Sequence, residues 1–361
     1  MSEALQLSLV PKDSEGKPCT KPSLGNILSR DEMNLAEFPL AVLSTRSNPK
    51  VKTLEFRDTQ RLKSGDMIER EWIITGADKF GLPTSTDDDV ILGLMQLTMA
   101  QGFKSPKVYF TRYELLKILQ WSTEGRSYTR LTKSLDRLSG VRIRAANAFY
   151  DNKSKSFQTR NFGIIDAYEI NDERGSKHIN TGEPPKSHFI WSEVLFDSFK
   201  SGFIKKLNMD LYFSLKSSVS RRLYRFLDKH FYYKPVLEMP LKNLAFEKIG
   251  LSRNYKYVSS IKQQLEPGLE ELKEVGFILD YSFSKKGAQT GIKILSSTLS
   301  KSTKTEAKEP SPEEVKLTSL DPKAEPILKA LCERGMHEKQ ARKLLGGKSS
   351  FECDKISKII A

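Results

Sequence analysis

An α+β fold of two tandem units is predicted by three observations in this 361-residue sequence. The stretch from Val108 to Arg144 reads as a short strand, a helix, a polar turn, a second helix with basic residues on one side, and a strand. A weaker version of that order recurs between Val236 and Phe283. Basic charge gathers in the same two places: 13 Lys and Arg against 4 Asp and Glu over residues 104–160, and 14 against 4 over residues 200–262. Acidic stretches flank these blocks, with 12 basic against 15 acidic residues over 1–99 and 3 against 7 over 161–199. Strand, helix, turn, helix and hairpin in that order make a winged helix-turn-helix, whose second helix enters the DNA major groove. The expectation is therefore tandem winged helix-turn-helix domains with an N-terminal β-hairpin and a C-terminal helical tail.

Each element has its own signal. Residues 1–30 are rich in Ser, Pro, Lys and Gly without periodicity and are expected to form a disordered tail. Thr53–Arg57 and Met67–Thr75 alternate apolar and polar residues around Ser-Gly-Asp, as a β-hairpin does. Thr84–Asp89 caps a helix whose Val90, Ile91, Leu94, Met95 and Leu97 fall at helical spacing, and Gly102 ends it. The three consecutive aspartates Asp87, Asp88 and Asp89 are read as capping that helix and complementing its dipole, because consecutive carboxylates do not converge on one metal. Thr111 caps Arg112–Leu119, Trp121–Gly125 turns, Ser127–Leu138 is the next helix, and Gly140 stops it. Val141–Tyr150 and Phe157–Glu169 follow as a hairpin, the expected wing. These elements make an N-terminal winged-helix domain over 31–170. Polar residues 171–187 are expected to link it to a second domain over 188–298.

In that second domain an amphipathic stretch Trp191–Lys200 and a strand Phe203–Leu207 precede a strong helix, Val219–Tyr233, which Pro235 terminates. Val236–Met239 is a strand, Leu241–Ile249 a helix and Gly250–Arg253 a turn. Tyr255–Val275 is a long helix in which Pro267 is expected to cause a break. Phe277–Phe283 and Gly291–Leu295 close the domain as a hairpin. Residues 299–326 read as a flexible tether and 327–361 as a small helical tail.

A net charge of +14 and a pI near 9.4 favour a polyanionic partner. Three scattered cysteines support neither a disulfide framework nor a zinc site. No run reaches the roughly 18 apolar residues of a membrane span, and the N-terminus does not resemble a secretory signal. A cytoplasmic protein without membrane contact is expected.

Leu131, Leu135 and Leu138 share one face of the Ser127–Leu138 helix, leaving Arg126, Ser127, Tyr128, Arg130, Lys133 and Arg137 for another role. Arg pairs bidentately with guanine, and Arg or Lys neutralises phosphate. Arg126, Ser127 and Tyr128 at the helix start are expected to reach base edges, and Lys133 and Arg137 to meet phosphates. Arg142 and Arg144 place further charge on the wing. In the second domain Arg253, Asn254, Tyr255, Lys256, Tyr257 and Lys262 suit a groove. Arg221, Arg222 and Arg225, opposite Leu223, Phe226 and Leu227, are expected to clamp the backbone.

Enzyme signatures are absent. Gly346-Gly347-Lys348-Ser349 lacks the leading glycine of a phosphate loop, since Arg342 stands there. His178, His188, His230 and His337 are too scattered for the paired metal ligands of a nicking enzyme. No metal, cofactor or catalytic residue is assigned.

The phrases NLAEFPLAVLSTR, WIITGADKFGLPTSTDDDVILGLMQLT, VYFTRYELLKILQW, GRSYTRLTKSLDRLSGV and LYFSLKSSVSRRLYRFLDKHFY resemble the plasmid replication initiator protein A family, from about Asn34 to Ile294. The resemblance implies an iteron-binding-type initiator that recognises double-stranded DNA repeats at a plasmid origin and recruits host replication machinery, a host initiator or helicase. Autorepression by a homodimer formed through the hairpin or the first domain is compatible with it. A winged-helix transcriptional regulator is the alternative reading, and a nicking-joining replication enzyme a more distant one.

Overall fold

The computed structural model describes residues 28–45, 48–62, 65–171, 186–286 and 289–297. All of them belong to one compact unit within Met1–Thr305. The expected tether 299–326, the helical tail 327–361, and most of the N-terminal tail and of the 171–187 linker fall outside the described residues.

Along the chain, β1 (Leu28–Glu32) runs into the short α1 (Met33–Glu37). The expected hairpin forms from β2 (Thr53–Arg61) and β3 (Met67–Thr75), in register from Thr53↔Thr75 to Arg61↔Met67. Then come α2 (Ser85–Ala100), β4 (Lys107–Phe110), α3 (Arg112–Ile118) and α4 (Gly125–Gly140). Thr111 caps α3 as its sequence position implies, its hydroxyl accepting from the Glu114 N–H at 3.1 Å. β5 (Arg142–Asp151), β6 (Ser156–Gly163), β7 (Ile165–Glu169) and β8 (Ser187–Trp191) follow. α5 (Glu193–Lys200), β9 (Ile204–Asn208), α6 (Met209–Ser214) and α7 (Ser218–Tyr233) lead to β10 (Val236–Pro240). The helix expected over Leu241–Ile249 forms, with a π-helical segment Asn243–Ile249, and Gly250 ends it with a left-handed φ of 82° that glycine adopts without strain. Finally α8 (Val258–Glu274) precedes β11 (Ile278–Lys286) and β12 (Gln289–Ser296).

Strand pairing corrects two expectations. The hairpin Val141–Glu169 is not a free wing: β5 pairs with β3, giving a four-stranded sheet in the order β2-β3-β5-β6. Val141, Ile143 and Ala145 alternate inward and are fully buried, so this strand has an apolar face that needs covering. The start of the second domain expected at His188 is displaced as well. β8, assigned from His188 to the second unit, pairs with β4 and β7 of the first, in the order β4-β8-β7. Phe189 and Trp191 on β8, then Leu195, Phe196 and Phe199 on α5, fill the same core as Trp72, Leu131 and Phe162, so the first core extends to about residue 199. A second core gathers Leu223, Phe226, Leu227, Ile261, Leu265, Ile292 and Ile294.

The two halves share a plan. In each, a long helix (α2 or α7) is followed by a strand, two helical segments and two further strands. The three strands pair in the order first, third, second: β4-β8-β7 and β10-β12-β11. The β5–β6 hairpin is the insertion that distinguishes the first half. Pro267 causes no break, since α8 runs through it; Pro267 is exposed, where the carbonyl freed by its missing N–H meets water. No helix among the described residues is long and apolar enough to cross a membrane.

Candidate nucleic-acid interface

α4 is held by its leucines. Leu131, Leu135 and Leu138 are fully buried against the first core, so the opposite side of the helix is fixed outward. Arg126 and Lys133 are exposed there, and neither is paired with a carboxylate among the described residues. The remaining expected contacts on this helix are engaged within the protein. Ser127 is buried, its hydroxyl 3.0 Å from that of Ser122, which ties the turn to the helix start. The half-buried Tyr128 ring lies under the Arg112 guanidinium at 5.1 Å. Arg130, exposed as a residue, covers Trp121 at 4.2 Å and donates to the Thr86 hydroxyl at 3.1 Å. Arg137 grips the buried Asp87 carboxylate with two bonds of 2.6 and 2.8 Å, so it is not free for a phosphate. On β5, Arg142 is exposed and Arg144 donates to Glu71 of β3 at 2.8 Å.

In the second half the loop entering α8 carries the exposed residues. Asn254, Lys256 and Tyr257 are open to solvent, Tyr257 at 74%. Arg253 is also exposed but leans on the Glu247 carboxylate at 3.0 Å and donates to the Glu55 carbonyl at 3.1 Å. Tyr255 packs against the second core, and the half-buried Lys262 places its ammonium over the Phe283 ring at 4.1 Å. Both halves thus present cations and hydrogen-bonding groups where the second helix begins, the end of a helix that meets a groove first.

The expected backbone clamp on α7 is overturned for Arg222 and Arg225. Arg222 and Arg225 are only 3% and 2% exposed. Arg225 makes paired bonds of 2.9 and 2.8 Å to Asp31 and a third of 3.0 Å to Asp88. Arg222 donates to the carbonyls of Leu35, Ala36 and Lys248 at 2.9–3.1 Å. Arg221 meets Asp89 at 3.0 Å, and Tyr212 donates to the same carboxylate at 2.8 Å. Arg222 and Arg225, buried with these partners, are not free to clamp a DNA backbone. A neighbouring cluster sets Glu37 between Arg70, Lys229 and Lys248, and Asp58 between Arg70 and Lys248.

Burial alone would raise the carboxyls of Asp31 and Glu37. The cations around them outweigh it and hold both below the usual carboxylate range, Glu37 well below. Burial wins at Asp88 and Asp89, which are raised despite Arg225 and Arg221. It also pushes Arg222 down to about 10. Asp31, Glu37 and Asp58 were not singled out from the sequence, and Asp88 and Asp89 only as helix caps. One signal pointed to them: the acidic block 1–99 faces the basic block 200–262 within the chain.

A curated relative from Wigglesworthia glossinidia brevipalpis, named "Putative replication protein", is 36% identical over 127 residues, and the alignment spans 35% of this chain and 43% of that protein. Two crystal structures of domains 2 and 3 of RctB superpose with TM-scores of 0.47 and 0.41 at 12% and 13% identity. They cover 73% and 74% of this chain and 98% and 99% of theirs, a likeness too loose to bear on function. The model of the family described as replication initiator protein A matches residues 30–267, a span that contains both exposed helix starts. That match spans more than half of the chain, and the protein therefore belongs to the replication initiator protein A family.

Proposed function

We propose that this chain binds double-stranded DNA at a plasmid replication origin and starts replication there as a non-enzymatic initiator. The observation that carries the reading is the repeated plan of the two halves, each with exposed cations at the start of its second helix. A strand, two helical segments and two paired strands in that order support a winged helix-turn-helix reading. In the first half the wing is the β7–β8 hairpin, not the hairpin expected from sequence. Arg126 enters one major groove with Lys133 on an adjoining phosphate, and Arg253, Asn254, Lys256 and Tyr257 address a second groove. Several bound copies bend the DNA and strain an adjacent A·T-rich segment, which a host initiator or helicase then occupies. A homodimer acting as repressor of its own gene uses the same surface.

Footprinting on the DNA around the coding region, together with replication of an origin-only plasmid supplied with this protein in trans, tests the proposal. Protection of repeated sites with replication is expected. Protection without replication would instead make the protein a transcriptional regulator. A covalent adduct with supercoiled origin DNA and a divalent metal would make it a nicking enzyme.

A further inference from the structure

Between the two halves lies a polar cavity of about 150 Å³. Its charge is lopsided. Arg130 from α4, Lys216 from the loop before α7, and Arg221, Arg222 and Arg225 from α7 line it, against two carboxylates, Asp88 and Asp89. Asp31 holds Arg225 from outside the lining and still leaves cations in excess. Two 16-residue helices also begin at this wall: Ser85 and Thr86 open α2, and Ser218 opens α7. Both direct the positive ends of their dipoles toward it.

Donor capacity remains within the cavity. Arg221 spends its Nε on the Leu215 carbonyl and one terminal nitrogen on Asp89, leaving the other. Arg130 uses one terminal nitrogen on Thr86. Lys216 engages the protein through its backbone N–H, which donates to Glu271 at 2.6 Å, and its ammonium is paired with no carboxylate among the described residues. Surplus cations, free guanidinium donors, hydroxyls and two helix starts around a space large enough for several waters fit a tetrahedral oxyanion.

We propose that this cavity binds a phosphate group, held by Lys216, Arg221 and Arg130 together, and so joins the two halves through one anion. The same chemistry suits a phosphodiester of bound DNA and a free phosphate, including that of a nucleotide. The DNA source rests on the proposed function; the phosphate site does not. A group held at once by α4 and α7 fixes the spacing of the two exposed helix starts. Site spacing on DNA is a geometric property of this kind.

Two measurements on the full chain test it. In the first, inorganic phosphate is titrated without DNA at constant ionic strength, with chloride as control, and binding is followed by calorimetry and thermal midpoint. Saturable binding is expected, weakened about tenfold or more in Lys216→Glu and restored in Lys216→Arg. In the second, the salt dependence of origin-DNA binding is compared between wild type and Lys216→Ala. A slope smaller by about one assigns the site to a DNA phosphodiester. Phosphate binding with an unchanged slope assigns it to a free phosphate group. No saturable phosphate binding and no change in slope overturn the proposal, even if wild-type protein binds the origin normally. Failure of wild-type protein to bind any origin DNA overturns the proposed function instead and leaves the first measurement to decide the cavity.

Discussion

α4 and α7 look alike in the sequence, each with leucine or phenylalanine on one side and arginine on the other, yet the protein uses them in opposite ways. α4 leaves Arg126 and Lys133 in solvent. α7 is covered on both sides, by the second core on its apolar face and by carboxylates of β1 and α2 on its arginines. A row of arginines on a helix therefore announces an acidic partner without saying which one. For α7 the partner is the same chain. The three aspartates that open α2 show this plainly, because each meets a different arginine: Asp87 with Arg137, Asp88 with Arg225, and Asp89 with Arg221. The first pair lies within one half and the other two join the halves.

The largest effect that would break this comparison belongs to Arg225→Ala. It strands Asp31 and Asp88 without their shared cation, and removing one member of a buried ion pair costs on the order of 3–5 kcal/mol. Urea unfolding should show that loss, with DNA affinity of the remaining folded protein little changed. A normal unfolding curve with weakened DNA binding would return Arg225 to the DNA surface.

Next in size is a contrast within α4 itself. Arg126→Ala should weaken specific DNA binding by about 1–3 kcal/mol and leave stability within about 0.5 kcal/mol. Arg137→Ala should do the reverse, lowering stability by about 1–3 kcal/mol because Asp87 stays buried without its paired donors. Equal losses of binding on specific and random DNA in Arg126→Ala would make that residue a phosphate contact.

A smaller effect sits at the junction of the halves. Burial pushes the Glu32 carboxyl from 4.5 up to about 7, against the hydrogen bonds from the Leu35 N–H, Ser198 and Asn34 that favour its charged form. The folded protein thus keeps a proton that the unfolded chain releases. The stability this group contributes is present below about pH 4.5 and lost as pH rises to about 7. Urea midpoints measured across that window should fall less steeply in Glu32→Gln than in wild type, and identical slopes would show that Glu32 titrates normally.

The smallest effect is that of Lys133→Ala, which should lower the salt slope of DNA binding by about one with little change in sequence preference. Loss of preference would place Lys133 on a base.

Much of the fold was legible in the sequence because local signals agreed with each other. The Thr111 cap, the leucine spacing of α4 and the alternation in β2 and β3 each depend on neighbours within one element, and each matches the structure. The wing and the domain boundary depended on which strands pair, and pairing is decided by distant partners. Val141, Ile143 and Ala145 marked a strand with one buried face, but only β3 beside it revealed that the strand belongs to a sheet and not to a free hairpin. The candidate site divides in the same way. Arg126 and Lys133 lie opposite the buried leucines of α4 and are exposed as the leucine spacing implies, whereas Ser127, Arg137, Arg222 and Arg225 are taken up by partners 5 to 194 residues away.

By itself, then, the sequence determined the helices and strands, their repeated order and the excess of positive charge, since periodicity, capping and composition are local or additive properties. Tertiary structure decided which of those charges face outward. A buried arginine is stable only where carboxylates or carbonyls converge on it from other elements, and that convergence exists only once the two halves have docked.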